Sequence, residues 1–347
     1  MKHYFVENPV SGKNYPGDIL HDLIQPAVLS SGIEFEIYRT RYRGDGERYV
    51  REKCMEAAGK PVRFYAVGGD GTLYEVVNGA AGFDNVEITC IPKGSGNDYI
   101  RLFGGRQYFL DVKDLIRGKT IAVDGLKLND GSGRIETAIN QVSMGFDAEA
   151  CAYQAKMKKL PGSIGHISYV LSGLYCMFTK AYSTFACMVD DEPVHGPFFL
   201  AVACNSRWYG SGICVAPFAD PCDGMLDCVI IRRTVAWPLI FKLGIYDWQL
   251  KGIHYLNHSC MYLRARKIEW KAEHPVMINV DGETRMVQHV TVEAVPQCFR
   301  FVVPAHSPYL QHKPDNTIAI PAKKQPKFHP FDSIVNHGVM GYGSRRY

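Results

Sequence analysis

The sequence has no C-x-x-C pair, which removes zinc-ribbon and dithiol redox readings. Its eleven cysteines form an odd set without secreted-domain spacing. Cys90, Cys204 and Cys228 sit inside apolar runs, where a thiol behaves as a small buried hydrophobe. Reduced thiols and a cytoplasmic location are therefore expected. Long hydrophobic runs are missing too. The fullest windows, 167–178 and 235–245, are broken by polar or charged residues. Both fall short of the roughly 20 residues a spanning helix needs. At the N-terminus, Glu7 and Pro9 arrive before a signal peptide's apolar stretch could form. Charge of one sign is not in large excess: a net +4 argues against nucleic acid as a partner while permitting contact with an anionic membrane surface. Three familiar phosphate signatures are also absent. There is no G-x-x-x-x-G-K-[ST], no G-x-G-x-x-G after a strand, and no H-R-D or D-F-G, so P-loop, dinucleotide and protein-kinase sites are excluded. No internal repeat is visible.

What is present is an ordinary globular composition, 46% apolar and 21% charged over 347 residues, enough for two domains. Strand and helix signals alternate through the first hundred or so residues. Strands are expected over 3–7, 33–39, 62–67 and 86–91, and helices over 18–30, 47–58 and from Leu73 to Ala80. Such alternation predicts a parallel, doubly wound α/β sheet. After Asp111 the pattern changes to punctuated strands: 121–128, 135–142, 184–189, 198–204, 226–232, 267–270, 276–280, 287–295 and 299–303. These predict a β-sandwich, interrupted by helical stretches near 147–180 and 235–248. The expected organisation is α/β plus β: a nucleotide domain over 1–120, a β-sandwich domain over 121–304, and a tail over 305–347 that wraps the surface or is disordered.

Three loops that follow strands carry the chemistry. They are Asn8-Pro9-Val10-Ser11-Gly12, Gly68-Gly69-Asp70-Gly71-Thr72 and Gly94-Ser95-Gly96-Asn97-Asp98. Glycines let backbone approach a pyrophosphate, helix N-termini offer unused N–H groups, and Ser11, Thr72 and Ser95 add hydroxyls. One such loop is as well explained by a tight turn. Three on one sheet point to a phosphate ligand. Asp70 would repel phosphate unless a cation intervened, and Mg²⁺ suits a site of one or two carboxylates. The other reading of Asp70 is a cap for the following helix. Asp281-Gly282, between apolar runs, reads from its residues simply as a hairpin turn. His166 and His254 have no acid at a telling spacing. The apolar positions of 162–178 suit either core or a lipid slot, and Lys156, Lys158 and Lys159 either a solvated face or anionic headgroups.

These residues are the ones by which the chain, from about residue 3 to 303, resembles the diacylglycerol kinase catalytic domain family, especially its bacterial soluble members. The matching stretches are G-G-D-G-T followed by Glu75-Val76-Val77-Asn78-Gly79, and Pro92-Lys93-Gly94-Ser95-Gly96-Asn97-Asp98. Ser95 replaces the family's usual threonine and keeps its hydroxyl, whereas Tyr74 stands where asparagine is commoner. Thr40, ahead of Gly44-Asp45, looks like the family's adenosine-side threonine. The resemblance implies ATP held by Asn8, Pro9, Ser11, Gly12, Thr40, Gly68, Gly69, Asp70, Gly71, Thr72, Glu75, Gly94, Ser95 and Asn97. It implies a Mg²⁺ loop over 217–227, with the Asp223 side chain and the Asp220 and Met225 carbonyls as ligands. Asp124 looks like the aspartate that joins this ion to the active site through water. Asp281-Gly282-Glu283 resembles the family's D-G-E, whose glutamate is the general base, giving Glu283, Asp70 and Asp124 as catalytic candidates.

The implied activity is transfer of the γ-phosphate of ATP to a lipid hydroxyl, foremost that of diacylglycerol, by an enzyme visiting the membrane surface. A sphingoid base or phosphatidylglycerol as acceptor stays open, and so does a homodimer. NAD kinase shares the G-G-D-G loop, but the N-P-x-S-G opening, the G-S-G-N-D loop and the late D-G-E argue against it. A nucleotide-binding regulatory protein without catalysis is disfavoured because Asp70, Asp124, Asp223 and Glu283 are all present.

Overall fold

Strand and helix alternate from the N-terminus in the computed structural model of the chain, which describes residues 1–12, 17–157, 185–196, 198–232, 252–256 and 260–311. The first strands are β1 (Lys2–Glu7), β2 (Glu34–Arg39), β3 (Val62–Gly68) and β4 (Val86–Pro92), joined through α1 (Gln25–Ser31), α2 (Asp45–Ala57) and α3 (Asp70–Ala80). They lie parallel in the order β4-β3-β1-β2. The chain leaves β1 toward β2 and then crosses to β3 on the other side. The loops after β1 and β3 therefore open onto the crevice where such sheets take ligands. β3 and β4 are buried at every position, as strands covered on both faces must be. The helix expected over 18–30 is divided. A π-helical turn over Leu20–Ile24 runs into α1, which stops at Gly32.

Short helices α4 (Arg106–Phe109) and α5 (Val112–Ile116) lead into the second half. It contains β5 (Lys119–Asn129), β6 (Glu136–Ala138), β7 (Gln141–Gly145), α6 (Phe146–Met157), β8 (Phe185–Val189), β9 (Glu192–Val194) and β10 (Phe198–Cys204). A small hairpin, β11 (Trp208–Tyr209) with β12 (Ile213–Cys214), precedes β13 (Leu226–Arg232), β14 (Cys260–Ala265), β15 (Lys267–Val280), β16 (Glu283–Val303) and α7 (Pro308–Gln311). The strands expected at 267–270 and 276–280 are one strand, β15, and those at 287–295 and 299–303 are one strand, β16. The breakers between them, Pro275 and Pro296-Gln297, fall at register shifts of the ladder rather than at strand ends. A β-bulge accommodates such residues and bends the strand. The bends let both strands change partners. β15 pairs with β8 at Lys267-side residues and with β7 at Ile278–Val280. A sheet that turns on itself in this way is sandwich-like, and its interior holds Leu126, Met144, Phe185, Trp270, Ile278 and Val292.

β16 also ties the two halves together. Its Arg300 and Phe301 lie parallel to Glu87 and Ile88 of β4, while its inner length pairs with β5 and β15. Residues Met1–Asp315 accordingly form one compact unit. The start of the expected tail is packed: the Ser307 hydroxyl donates to the Phe103 carbonyl at 2.6 Å, and Tyr309 meets the Phe103 ring edge-on. Most of the helical stretch expected over 147–180, the one over 235–248, His166, the side chains of Lys156, Lys158 and Lys159, and the tail beyond Gln311 lie outside the described residues.

Candidate active site

The three glycine loops meet at the C-terminal ends of β1, β3 and β4. The Gly68 carbonyl accepts from Lys93 N–H at 2.7 Å, Gly94 N–H at 3.0 Å and the Asn97 amide at 3.0 Å, binding the second loop to the third. Asn8 N–H reaches the Val67 carbonyl at 3.0 Å, and the Asn8 side chain accepts from Val10 N–H at 3.1 Å, shaping the first loop. Contact is close enough to require glycine. Gly12 has φ +56°, and a Cβ there would strike the Lys93 carbonyl; one on Gly94 would strike Gly69 Cα, while one on Gly69 would be tight at 3.3 Å from Gly94 Cα, with Ser11 Oγ at 3.6 Å. Pro9 and Ser95 are exposed on the rim. Thr40 N–H donates to the Glu7 carbonyl at 2.9 Å, beside the first loop. The Thr72 hydroxyl and the Asn97 side-chain carbonyl are buried and make no hydrogen bond.

Asp70 neither caps its own helix nor points away. Gly69 is the cap residue of α3 and makes no side-chain bond. The Asp70 carboxylate accepts instead from Asn97 N–H at 2.8 Å and Asp98 N–H at 2.9 Å, closing the second loop on the third. Burial, together with the charge of Asp98, pushes Asp70 up to about 6. A cation in the cleft would relieve both effects. Glu75, one turn later on α3, accepts Gly44 N–H at 2.8 Å and Gly46 N–H at 2.9 Å, and so fixes the loop beyond Thr40.

The Asp281-Gly282 turn is a hairpin turn between β15 and β16, with positive φ at both residues (+49° and +98°). Its aspartate is also an anchor. One oxygen accepts from Gln141 N–H at 2.7 Å and Asn140 N–H at 3.1 Å, the other from Ile139 N–H at 2.7 Å. Glu283 opens β16, and its Oε1 lies 3.5 Å from where a Cβ on Gly71 would stand. Residues 71 and 283 are thus neighbours. Between the loops and this hairpin is a cavity of about 210 Å³ lined by Asp70, Ser95, Asn140, Tyr209, Asn279 and Asp281.

Asp124 sits apart, with the 217–227 loop. The Asp124 carboxylate accepts Gln297 N–H at 2.8 Å and Gly224 N–H at 2.7 Å. The β16 bulge is what turns the Gln297 N–H away from the ladder to reach it. Asp220 accepts Cys222 N–H at 3.1 Å, while Asp223 accepts Met225 N–H at 2.9 Å and pairs with Arg264. Burial raises both Asp124 and Asp223, and Asp220 adds to each shift. Carboxylates gathered on one loop are hard oxygen donors of the type Mg²⁺ takes, although the cation beside Asp223 here is the Arg264 guanidinium.

Family models match the chain twice: the diacylglycerol kinase catalytic domain over residues 2–128, and the YegS C-terminal NAD kinase beta sandwich-like domain over residues 140–303. Residues 2–128 belong to the diacylglycerol kinase catalytic domain family. It is similar to "Putative lipid kinase YtlR" of Bacillus subtilis (strain 168), with 27% identity over 82% of this chain and 94% of that protein. It is also similar to the diacylglycerol kinase of the same organism, with 24% identity over 80% and 88% of the two chains. The crystal structure of a diacylglycerol kinase from Bacillus anthracis str. Sterne shares the fold, with a TM-score of 0.62 over 87% of this chain and 96% of the other at 18% identity. This family of lipid kinases implies a lipid substrate and ATP as phosphate donor. No helix among the described residues is long and apolar enough to cross a membrane.

Several connections in this family member had no sequence signal. Asn205 donates to the Asp124 carbonyl and the Ile139 carbonyl, each at 2.9 Å, so one amide links β5 at Asp124 to the segment that Asp281 holds. Asp98 joins the third loop to the second half by accepting Ser211 N–H at 2.7 Å. Tyr74, the departure from the family's asparagine, is buried and donates to Glu136, which in turn is 2.5 Å from Arg285. Glu283 pairs with Arg43. Each partnership spans dozens to hundreds of residues, and only the fold reveals it.

Proposed function

We propose that the chain transfers the γ-phosphate of ATP to the hydroxyl of diacylglycerol, giving phosphatidic acid, while docked on a membrane from the water side. The observation that carries this reading is the approach of Glu283 to Gly71, which puts a carboxylate beside the N-terminus of α3. The three loops supply backbone N–H groups and the Thr72 hydroxyl to the phosphates, with Thr40 and the loop held by Glu75 on the adenosine side. Glu283 takes the proton of the acceptor hydroxyl as that oxygen attacks phosphorus. Asp70 keeps the second and third loops closed on the phosphates. Mg²⁺, when bound by the Asp223 side chain and the Asp220 and Met225 carbonyls, supplies positive charge that offsets the crowded carboxylates. Asp124 and Asn205 carry the position of that loop to the hairpin. We place the nucleotide-binding part at 1–120 and the acceptor-binding part at 121–304.

The test is transfer of labelled phosphate from ATP to a panel of diacylglycerol, phosphatidylglycerol, a sphingoid base and NAD. Labelled phosphatidic acid as the main product is expected, and preference for another member replaces the acceptor. Transfer to none overturns the reading. Glu283→Gln should keep the fold and lower turnover by on the order of 10²–10⁴, and turnover within a few-fold of wild type removes Glu283 from the chemistry.

A further inference from the structure

The loop between β2 and α2 carries a guanidinium with no part in the mechanism above. Arg43 pairs with Glu283 across 240 residues of sequence. Its mount is stiff. Besides the Glu75 bonds to Gly44 and Gly46, the buried Asp45 carboxylate accepts from the Tyr38 hydroxyl at 2.9 Å, Arg41 N–H at 2.9 Å and Arg48 at 2.8 Å. The Arg43 side chain, in contrast, is 75% exposed and Glu283 26%. Several other cations near these loops are tied to buried or nearly buried acids: Arg39 and Lys93 to Glu7, Arg48 to Asp45, and Arg101 to Asp98. An exposed ion pair is worth about 0–1 kcal/mol, so fold stability gives little reason for a cation here. Its position does. Since Glu283 adjoins Gly71, Arg43 overlooks the first turn of α3.

We propose that Arg43 clamps the terminal phosphate of the nucleotide donor and, in leaving Glu283, readies that carboxylate for the acceptor. The proposal rests on the kinase reading above. Phosphate oxygens match the guanidinium's paired N–H groups and compete with the carboxylate for them. During transfer the acceptor oxygen bonds to phosphorus as the bond to ADP breaks, and ADP keeps the electron pair. The acceptor proton passes to Glu283, and Arg43 stays protonated throughout. The base is therefore engaged by Arg43 until a triphosphate is in place.

Calorimetric binding of ADP and of a triphosphate analogue that cannot be cleaved separates this role from a structural one. Arg43→Ala should bind the triphosphate on the order of tenfold more weakly, leave ADP affinity unchanged, and lower turnover by on the order of 10²–10³. Arg43→Lys should recover part of the triphosphate affinity but less of the turnover, because an ammonium lacks the fork. Glu283→Gln, which loosens the resting pair, should bind the triphosphate at least as tightly as wild type. Equal weakening for both nucleotides overturns the proposal, and so does no weakening with turnover within about threefold of wild type. If wild-type protein binds neither nucleotide, the kinase reading itself falls and the Arg43 role falls with it.

Discussion

Asp281 gives the most direct test of how the hairpin between β15 and β16 is held. Its carboxylate receives three backbone N–H groups, from Ile139, Asn140 and Gln141, at a buried site. Asp281→Ala leaves all three without an acceptor. At about 1–3 kcal/mol for each stranded donor, the loss should be at least about 3 kcal/mol. Asp281→Asn keeps one acceptor oxygen and tolerates the positive φ, so about 1–3 kcal/mol should be lost. The two substitutions differ from wild type in a second way. Burial pushes Asp281 up to about 7 despite the three amides, whereas an unfolded aspartate titrates near 3.9. Between those values the folded protein holds a proton that the unfolded chain has released, so wild-type stability falls as pH rises. From about pH 6 to about pH 8 this amounts to about 1.4 kcal/mol. Asparagine carries no such proton. The stability advantage of wild type over Asp281→Asn should therefore shrink by about 1.4 kcal/mol across that interval. Urea unfolding of both proteins at the two pH values measures it. A pH-independent difference, or an alanine variant as stable as wild type, refutes the account.

Gly69→Val places a side chain between the second and third loops, so ATP should no longer raise the melting temperature; persistent stabilisation would put the nucleotide elsewhere. Asp223→Ala should lower both thermal stability in Mg²⁺ and activity, and an inactive variant as stable as wild type would refute a structural role for that loop's ion. On mixed vesicles, activity should rise with the anionic lipid fraction and fall as salt shortens the Debye length from about 10 Å at 0.1 M toward about 3 Å at 1 M. Equal salt sensitivity toward a water-soluble short-chain substrate would assign the effect to ATP binding instead of docking.

The alternation of β1 to β4 with their helices was legible because apolar period and glycine punctuation agree there. The bent strands were not. Pro275 and Pro296-Gln297 break a pattern in the same way whether a strand ends or bulges, and only the partner strand decides. The glycine loops suggested a phosphate ligand from residue chemistry alone, and the fold brings them together. Glu283 did not, since Asp281-Gly282 is a sufficient hairpin signal by itself, and the D-G-E resemblance was needed to single it out. Asp70 illustrates the gap: its spacing offered a cap or a metal ligand, while in the fold its carboxylate closes the third loop. Arg43, Asn205, Ser211 and Glu136 carry no local mark, because what matters about them is a neighbour far along the chain.

The placement of Arg300 and Phe301 beside β4 has a consequence for biosynthesis. A nascent chain can pair β1, β2, β3 and β4 soon after they leave the ribosome. The outer edge of β4 then waits for roughly 200 more residues, or about 10–40 s at ordinary elongation rates. During that interval the edge is a template for pairing with another chain. A message truncated just before Phe301 would yield a chain with that edge still open, and the cell's chaperones would meet it in that state.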